Sequence, residues 1–134
     1  KKPKGEENSL RPAVVPISVE EMRYAEMEII WQIQKKHFPD ELSRLVSKSG
    51  EPKKILAVKK SSQLYKLDPI IQHIIIRVGG RLLNSPLSEE SKHPIILPKE
   101  CQVSQLIASH FHHISGHSGL EYVLSLIRQR FWII

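Results

Sequence analysis

Histidines near the end of the sequence carry its clearest chemistry. In the run His110-Phe111-His112-His113-Ile114-Ser115-Gly116-His117-Ser118-Gly119, imidazoles recur at spacings that let two of them meet on one metal ion. Structural zinc takes four nitrogen or sulfur ligands in a tetrahedron, usually as two close pairs on separate segments. His117 forms a His-x4-His pair with His112 and a His-x3-His pair with His113. In an unbroken helix the second pair would share a face, but Gly116 interrupts the helix, so both histidines stand as candidates for the first ligand. A histidine pair by itself also fits ordinary surface or helix-end residues. No Cys-x-x-Cys follows in the sequence, and two histidines leave half of the coordination sphere to water. Zinc affinity of these residues alone is therefore expected to be weak or absent.

Other reactive side chains form no comparable set. Asp40, Glu41, Asp68, Glu89 and Glu90 show no catalytic spacing and read as surface or turn residues, so no catalytic residue is assigned. The single cysteine, Cys101, excludes an intrachain disulfide, suits a reducing compartment and reads as a helix-start residue rather than a ligand. Twenty Lys and Arg against fourteen Asp and Glu give a net charge of +6, which fits contact with a polyanion such as nucleic acid. The basic residues are dispersed, however, as a solvated surface would have them. Arg81, Arg128 and Arg130 are the candidates for phosphate contact, and they fit plain surface charge equally well. Nothing from Leu120 to Arg130 offers an Asn/Arg set aimed at base edges, as a DNA-reading helix would need. Among the remaining histidines, His37 is expected to end a helix, His73 to sit in a turn, His93 to precede an edge segment and His110 to be a satisfied core histidine. Trp31 and Trp132 read as packing anchors.

The elements that would position these residues suggest an α+β chain. Lys1 to Ile17 is polar and proline-bearing, and is expected to be a flexible linker. Ser18-Val19-Glu20-Glu21 has capping-box spacing. The helix after it has a predicted stripe of Met22, Ala25, Ile29 and Ile33, widened by Ile30 and Trp31, and ends near Lys36. Phe38-Pro39-Asp40 opens a second, short helix through Leu42, Leu45 and Val46. Ile55 to Val58, Leu64 to Leu67 and Ile74 to Val78 are apolar runs that predict strands of a small irregular sheet, with Gly79-Gly80 as a turn or bulge. Pro94-Ile95-Ile96-Leu97-Pro98 is expected to be an edge strand or extended crossing, because proline lacks a ladder donor. From about Glu100 to His112 a helix is predicted through Val103, Leu106, Ile107 and His110. After the glycine break, Ser118-Gly119-Leu120-Glu121 predicts a second capping box, opening a helix with the stripe Leu120, Val123, Leu124, Ile127 and Phe131. This divides the chain into a linker (1–17), a helical and small-sheet domain (18–98) and a helix-turn-helix fragment of a zinc-binding bundle (99–134). No apolar run approaches the length of a membrane span, and the opening charged stretch is not followed by a signal-like apolar region.

The strings His112 to Gly119 and Leu126-Ile127-Arg128-Gln129-Arg130-Phe131-Trp132-Ile133 resemble the start of the zinc-binding domain of retroelement integrases. Upstream, Leu67-Asp68-Pro69, Arg77-Val78-Gly79-Gly80-Arg81-Leu82 and His93-Pro94-Ile95-Ile96-Leu97-Pro98 resemble the spacer between RNase H and integrase in Pol polyproteins of BEL/Pao-type LTR retrotransposons. The helix carrying Trp31, Gln34 and Phe38 is similar to the beginning of that spacer, so the likeness runs from about Ala25 to the end. It implies that His112 and His117 join a downstream Cys-x-x-Cys on one zinc in the complete domain. It further implies that the module assists integrase self-association and contact with the element's DNA ends, inside the cell, in the nucleus or a cytoplasmic particle. Strand transfer would belong to a later domain with three carboxylates, which makes this part of the protein non-catalytic, with no small-molecule substrate and no membrane partner. Where the family has an acidic residue and glycine in a hairpin turn, this chain has Ile71-Gln72-His73-Ile74. A turn needing positive φ would be strained there, which fits a decayed or domesticated copy. The alternative expectation is accordingly a domesticated fragment serving as a zinc-independent protein-interaction or DNA-binding adaptor.

Overall fold

Ser18 opens the first helix, α1 (Val19–His37), with the expected reciprocal cap. Its hydroxyl accepts the Glu21 N–H at 3.1 Å, while the Glu21 carboxylate accepts the Ser18 N–H at 2.8 Å. That backbone bond, helped by the Ser18 side chain, holds the Glu21 carboxyl below its ordinary pKa. At the other end the Phe38 N–H closes onto Gln34 O, and Pro39 begins α2 (Pro39–Leu45), where a missing N–H costs nothing. The computed structural model describes residues 15–45, 58–80 and 85–134. The expected strand Ile55 to Val58 falls outside these residues except for Val58, which is buried, and most of the expected linker falls outside them too.

The face that α1 buries differs from the predicted stripe. Ile30 and Gln34 are its fully buried residues, whereas Met22 and Ile29 are more than half exposed. The cause is Gln34, a polar residue that apolar periodicity assigns outward. Its carboxamide NH2 donates to Ile76 O and Ile96 O, both at 2.8 Å, and its oxygen accepts the Ile76 N–H at 2.7 Å. Buried amides persist only when hydrogen-bonded, and here the partners are backbone groups of two strands.

Those strands belong to a four-stranded sheet of order β1-β2-β3-β4, with β1 (Ile70–Gln72), β2 (Ile75–Arg77), β3 (Ile95–Leu97) and β4 (Phe131–Ile133). With the short helix α3 (Glu89–Lys92), α4 (Gln102–Ile114) and α5 (Leu120–Arg128), the described residues hold five helices and one mixed sheet, an α+β fold. Four details differ from expectation. Leu64 to Leu67 is not a strand. The Ser62 hydroxyl accepts the Leu64 N–H, a 3-10 turn follows at Tyr65–Leu67, and Leu64 is driven inward by burial rather than by strand pairing. Ile70 to Gln72 instead supplies β1. The Pro94 to Pro98 segment is an interior strand, antiparallel to β2 and parallel to β4. Its prolines stand just outside the ladder and act as acceptors, Pro94 O for Val78 N–H and Pro98 O for the Ser104 hydroxyl, so the missing donors cost no pairing. Finally, Phe131 leaves the helical stripe, because α5 stops at Arg128 and Phe131-Trp132-Ile133 pairs with Ile95-Ile96-Leu97. The sheet thereby spans the point between residues 98 and 99 at which the sequence suggests a domain boundary.

Both faces of the sheet are covered. Ile75, Ile95, Leu97 and Phe131 pack with Ile30, Val123 and Ile127, while Ile76 and Ile96 pack with Phe38, Leu45, Val58 and Leu64. Two covered faces explain why β2 and β3 read as continuous isoleucine runs rather than as alternation. Gly79 lies so close to the chain that a Cβ there would meet Asp68 O at 2.0 Å, which restricts the position to glycine. Among the described residues no helix is long and apolar enough to cross a membrane.

Gln34→Leu should lower stability in urea denaturation by about 3 to 5 kcal/mol, because it strands three buried backbone groups without partners. The β1–β2 hairpin generates the opposite expectation. Its two-residue loop places His73 at φ 51° and Ile74 at φ 63°, the left-handed region that Ile resists. Ile74→Gly should therefore raise stability by about 1 kcal/mol in the same assay.

Candidate functional site

The turn between α4 and α5 is built from the helix ends upward. Cys101 caps α4, its Sγ accepting the Ser104 N–H at 3.3 Å, and is buried at the helix start as the sequence suggests. At the far end His112 and His113 occupy the last turn. The Ser115 N–H folds back onto Phe111 O and the Gly116 N–H onto His113 O. Gly116 takes φ 64° and His117 takes φ 59°. Glycine meets the first of these without cost, but His117 pays about 1 to 2 kcal/mol for its left-handed backbone.

That conformation returns the chain to the helix end. The His117 N–H reaches His112 O at 3.3 Å, and His117 Nδ1 comes to 2.9 Å from His112 Nε2. Two nitrogens bound to one tetrahedral zinc at the usual bond length lie roughly 3.3 Å apart, so the pair is spaced to share an ion with little movement. The His113 ring is farther, its centroid 5.5 Å from that of His117 against 4.7 Å for His112. Of the two candidate partners, the structure brings His112 and His117 together. Which of the two nitrogens donates to the other depends on the tautomer, and a metal ligand must present its nitrogen without a proton. Among the described residues no group of three or more His, Cys, Asp or Glu side chains is placed to hold a metal ion. The donors present therefore fit half of a zinc site.

The second predicted capping box does not form. The Ser118 hydroxyl donates to Ser115 O at 2.5 Å, tying the turn to α4, and the α5 N-cap is Gly119 with no side-chain bond. Ser118 is spent on the turn that sets the histidine geometry, while Val123 and Ile127 anchor α5 in the core. His110 is exposed, edge-on to Phe111, rather than a core histidine. The inward face of α4 is Ser104, Ile107, Ala108 and Phe111 instead.

The basic candidates separate. Arg81 lies outside the described residues. Arg130 forms an ion pair with Glu26 of α1 at 2.7 Å, so much of its charge is answered within the chain. Arg128 lies over the Trp132 ring at 5.2 Å and remains exposed, which leaves its donors free for phosphate. One residue of consequence was invisible to the sequence reading as a functional side chain. Arg77, inside the Arg-Val-Gly-Gly-Arg string, is buried, donates from Nη1 to His93 O at 3.0 Å, and has an Nε with no hydrogen-bond partner. His93 is buried as well, its Nδ1–H donating to Val78 O at 2.9 Å. The co-occurrence of that string with His-Pro-Ile-Ile-Leu-Pro was a signal of contact, since the two segments bond reciprocally.

No protein-family model, curated protein or solved structure matches the chain.

In zinc titrations of a protein that carries these histidines together with a downstream Cys-x-x-Cys, His112→Ala and His117→Ala should each weaken binding by about tenfold or more, while His113→Ala should change it by less than about threefold. Equal losses for His112→Ala and His113→Ala would contradict the pairing.

Proposed function

We propose that the chain is a non-catalytic part of a retrotransposon-like Pol protein of the BEL/Pao type, the spacer before integrase followed by the opening of the integrase zinc-binding module. In the complete protein it would support DNA integration by contacting the element's DNA ends and by helping integrase self-associate, in the nucleus or a cytoplasmic particle. The observation that carries this reading is the convergence of His112 Nε2 and His117 Nδ1 to 2.9 Å at a helix end closed by Gly116. A neutral imidazole pair supplies two of the four ligands that a structural zinc takes, and the resemblance assigns the other two to a Cys-x-x-Cys. When bound, such an ion supplies folding energy rather than reactivity, clamping α4 and α5 to the segment that bears the cysteines. Exposed Arg128, beside this module, would offer a phosphate contact that positions DNA without reading its sequence.

A second reading keeps one observation of its own. Met22, Ile29 and Leu106 stay exposed along a groove of about 620 Å3 between α1 and α4, lined mostly by apolar side chains. Exposed apolar surface of this kind marks interaction sites, which suits a zinc-independent protein-interaction adaptor.

The two readings separate by zinc titration of the chain and of the chain extended through the Cys-x-x-Cys of its parent reading frame. The extended protein should bind one zinc at least about a thousandfold more tightly. Equal, tight binding by both, or a reading frame with no such cysteines, would overturn the integrase reading. DNA affinity of the extended protein should also fall steeply with salt.

A further inference from the structure

We infer that the cleft bounded by α1, β2 and α3 is a binding site for a phosphate group, separate from the histidine pair. Three arginines line a cavity of about 180 Å3 there, Arg23 on α1, Arg77 on β2 and Arg130 just before β4. Two carboxylates share its lining, Glu26 and Glu90. Glu26 is engaged by Arg130, and among the described residues neither Arg23 nor Arg77 has a carboxylate within ion-pair distance. Three cations against two anions leave the cleft positive.

Arg77 is the decisive member. It is only 8% exposed, one of its nitrogens is held by His93 O, and its Nε–H is buried with no acceptor. Native proteins rarely leave a charged donor in that condition, because the desolvation of the group goes uncompensated. Burial lowers the pKa of Arg77, Glu90 opposes the shift and Arg130 adds to it, yet a guanidinium remains charged in any protein setting. The site is thus a largely buried, fixed cation in the lining of a cleft that also holds the exposed Arg23 and Glu90. Arg130 is still 43% exposed after pairing with Glu26, so its free donors can also reach a ligand. A carboxylate offers two acceptor oxygens, whereas a phosphate spreads its oxygens tetrahedrally and can meet three separate guanidinium groups at once. The bonds from Arg77 Nη1 to His93 O and from His93 Nδ1–H to Val78 O hold the central guanidinium on the sheet.

The test is titration of inorganic phosphate into 15N-labelled protein at constant ionic strength, observing arginine Nε–H resonances with chloride as the control. Saturable shifts at Arg77 and Arg23 are expected, with none from chloride. Arg23→Gln should weaken binding by about fivefold and Glu90→Gln should tighten it by a similar factor; both positions are exposed, so both variants should keep the fold. Linear shifts equal to those of chloride, or an affinity unmoved by either substitution, would overturn the proposal. A short single-stranded deoxyoligonucleotide then separates the sources of the group. Displacement of phosphate with saturation at the same guanidiniums identifies a backbone phosphodiester, and failure to displace it identifies a free phosphate or monoester; either result upholds the phosphate site.

Discussion

The Gln34 carboxamide is the constraint on which the remainder of the fold depends. Strands β2 and β3 pair backbone to backbone at Arg77 and Ile95, and beside that pair a side chain from α1 takes over, joining Ile76 to Ile96. The helix is thereby fastened to both strands by bonds with direction, which hydrophobic contact alone cannot supply. Once α1 is set in rotation and height, Ile30 must meet one face of the sheet and Phe38, at the helix end, the other. A buried polar residue specifies the arrangement, and the isoleucines around it supply the driving force.

From that junction order passes to the candidate site through the sheet. β3 receives β4 in parallel register, and β4 fixes where α5 must end. Val123 and Ile127 pin α5 to the same core that holds α1, leaving the α4–α5 turn little freedom. Only then do local bonds of Ser115, Gly116 and Ser118 bring one imidazole against another. The histidines sit at the surface, and the helices that aim them are held to the core by a few buried residues, Ser104 on α4 and Val123 and Ile127 on α5.

What the sequence disclosed, and what it withheld, follows from the range of the interactions. The α+β class, the α1 cap, the interruption at Gly116 and the Cys101 helix start rest on neighbours within a few positions, and sequence spacing records such neighbours directly. The interior position of β3 was hidden because proline rules speak to donors inside a ladder, whereas Pro94 and Pro98 flank it and accept instead. The strand at Phe131 was hidden because its i+4 spacing from Ile127 satisfies a helix equally well until β3 is available as a partner. The inward turn of Gln34 and the unmet donor of Arg77 depend on residues tens of positions away, and no window of sequence contains them.

The ion pair between Glu26 and Arg130 joins residues 104 positions apart, and Gln34 waits 62 positions for Ile96. Contacts of such separation demand loop closure before they repay it, which slows folding relative to a helical bundle of this size. On the ribosome the first helix emerges long before either of its partners. Until β3 appears, α1 carries a bare amide and an open apolar flank, and until β4 appears β3 has an unsatisfied edge. Such intermediates aggregate readily. Of the four strands, β4 is made after the other three, and it is the one that covers the edge of β3, so the isoleucine run at the centre of the sheet waits on it for protection.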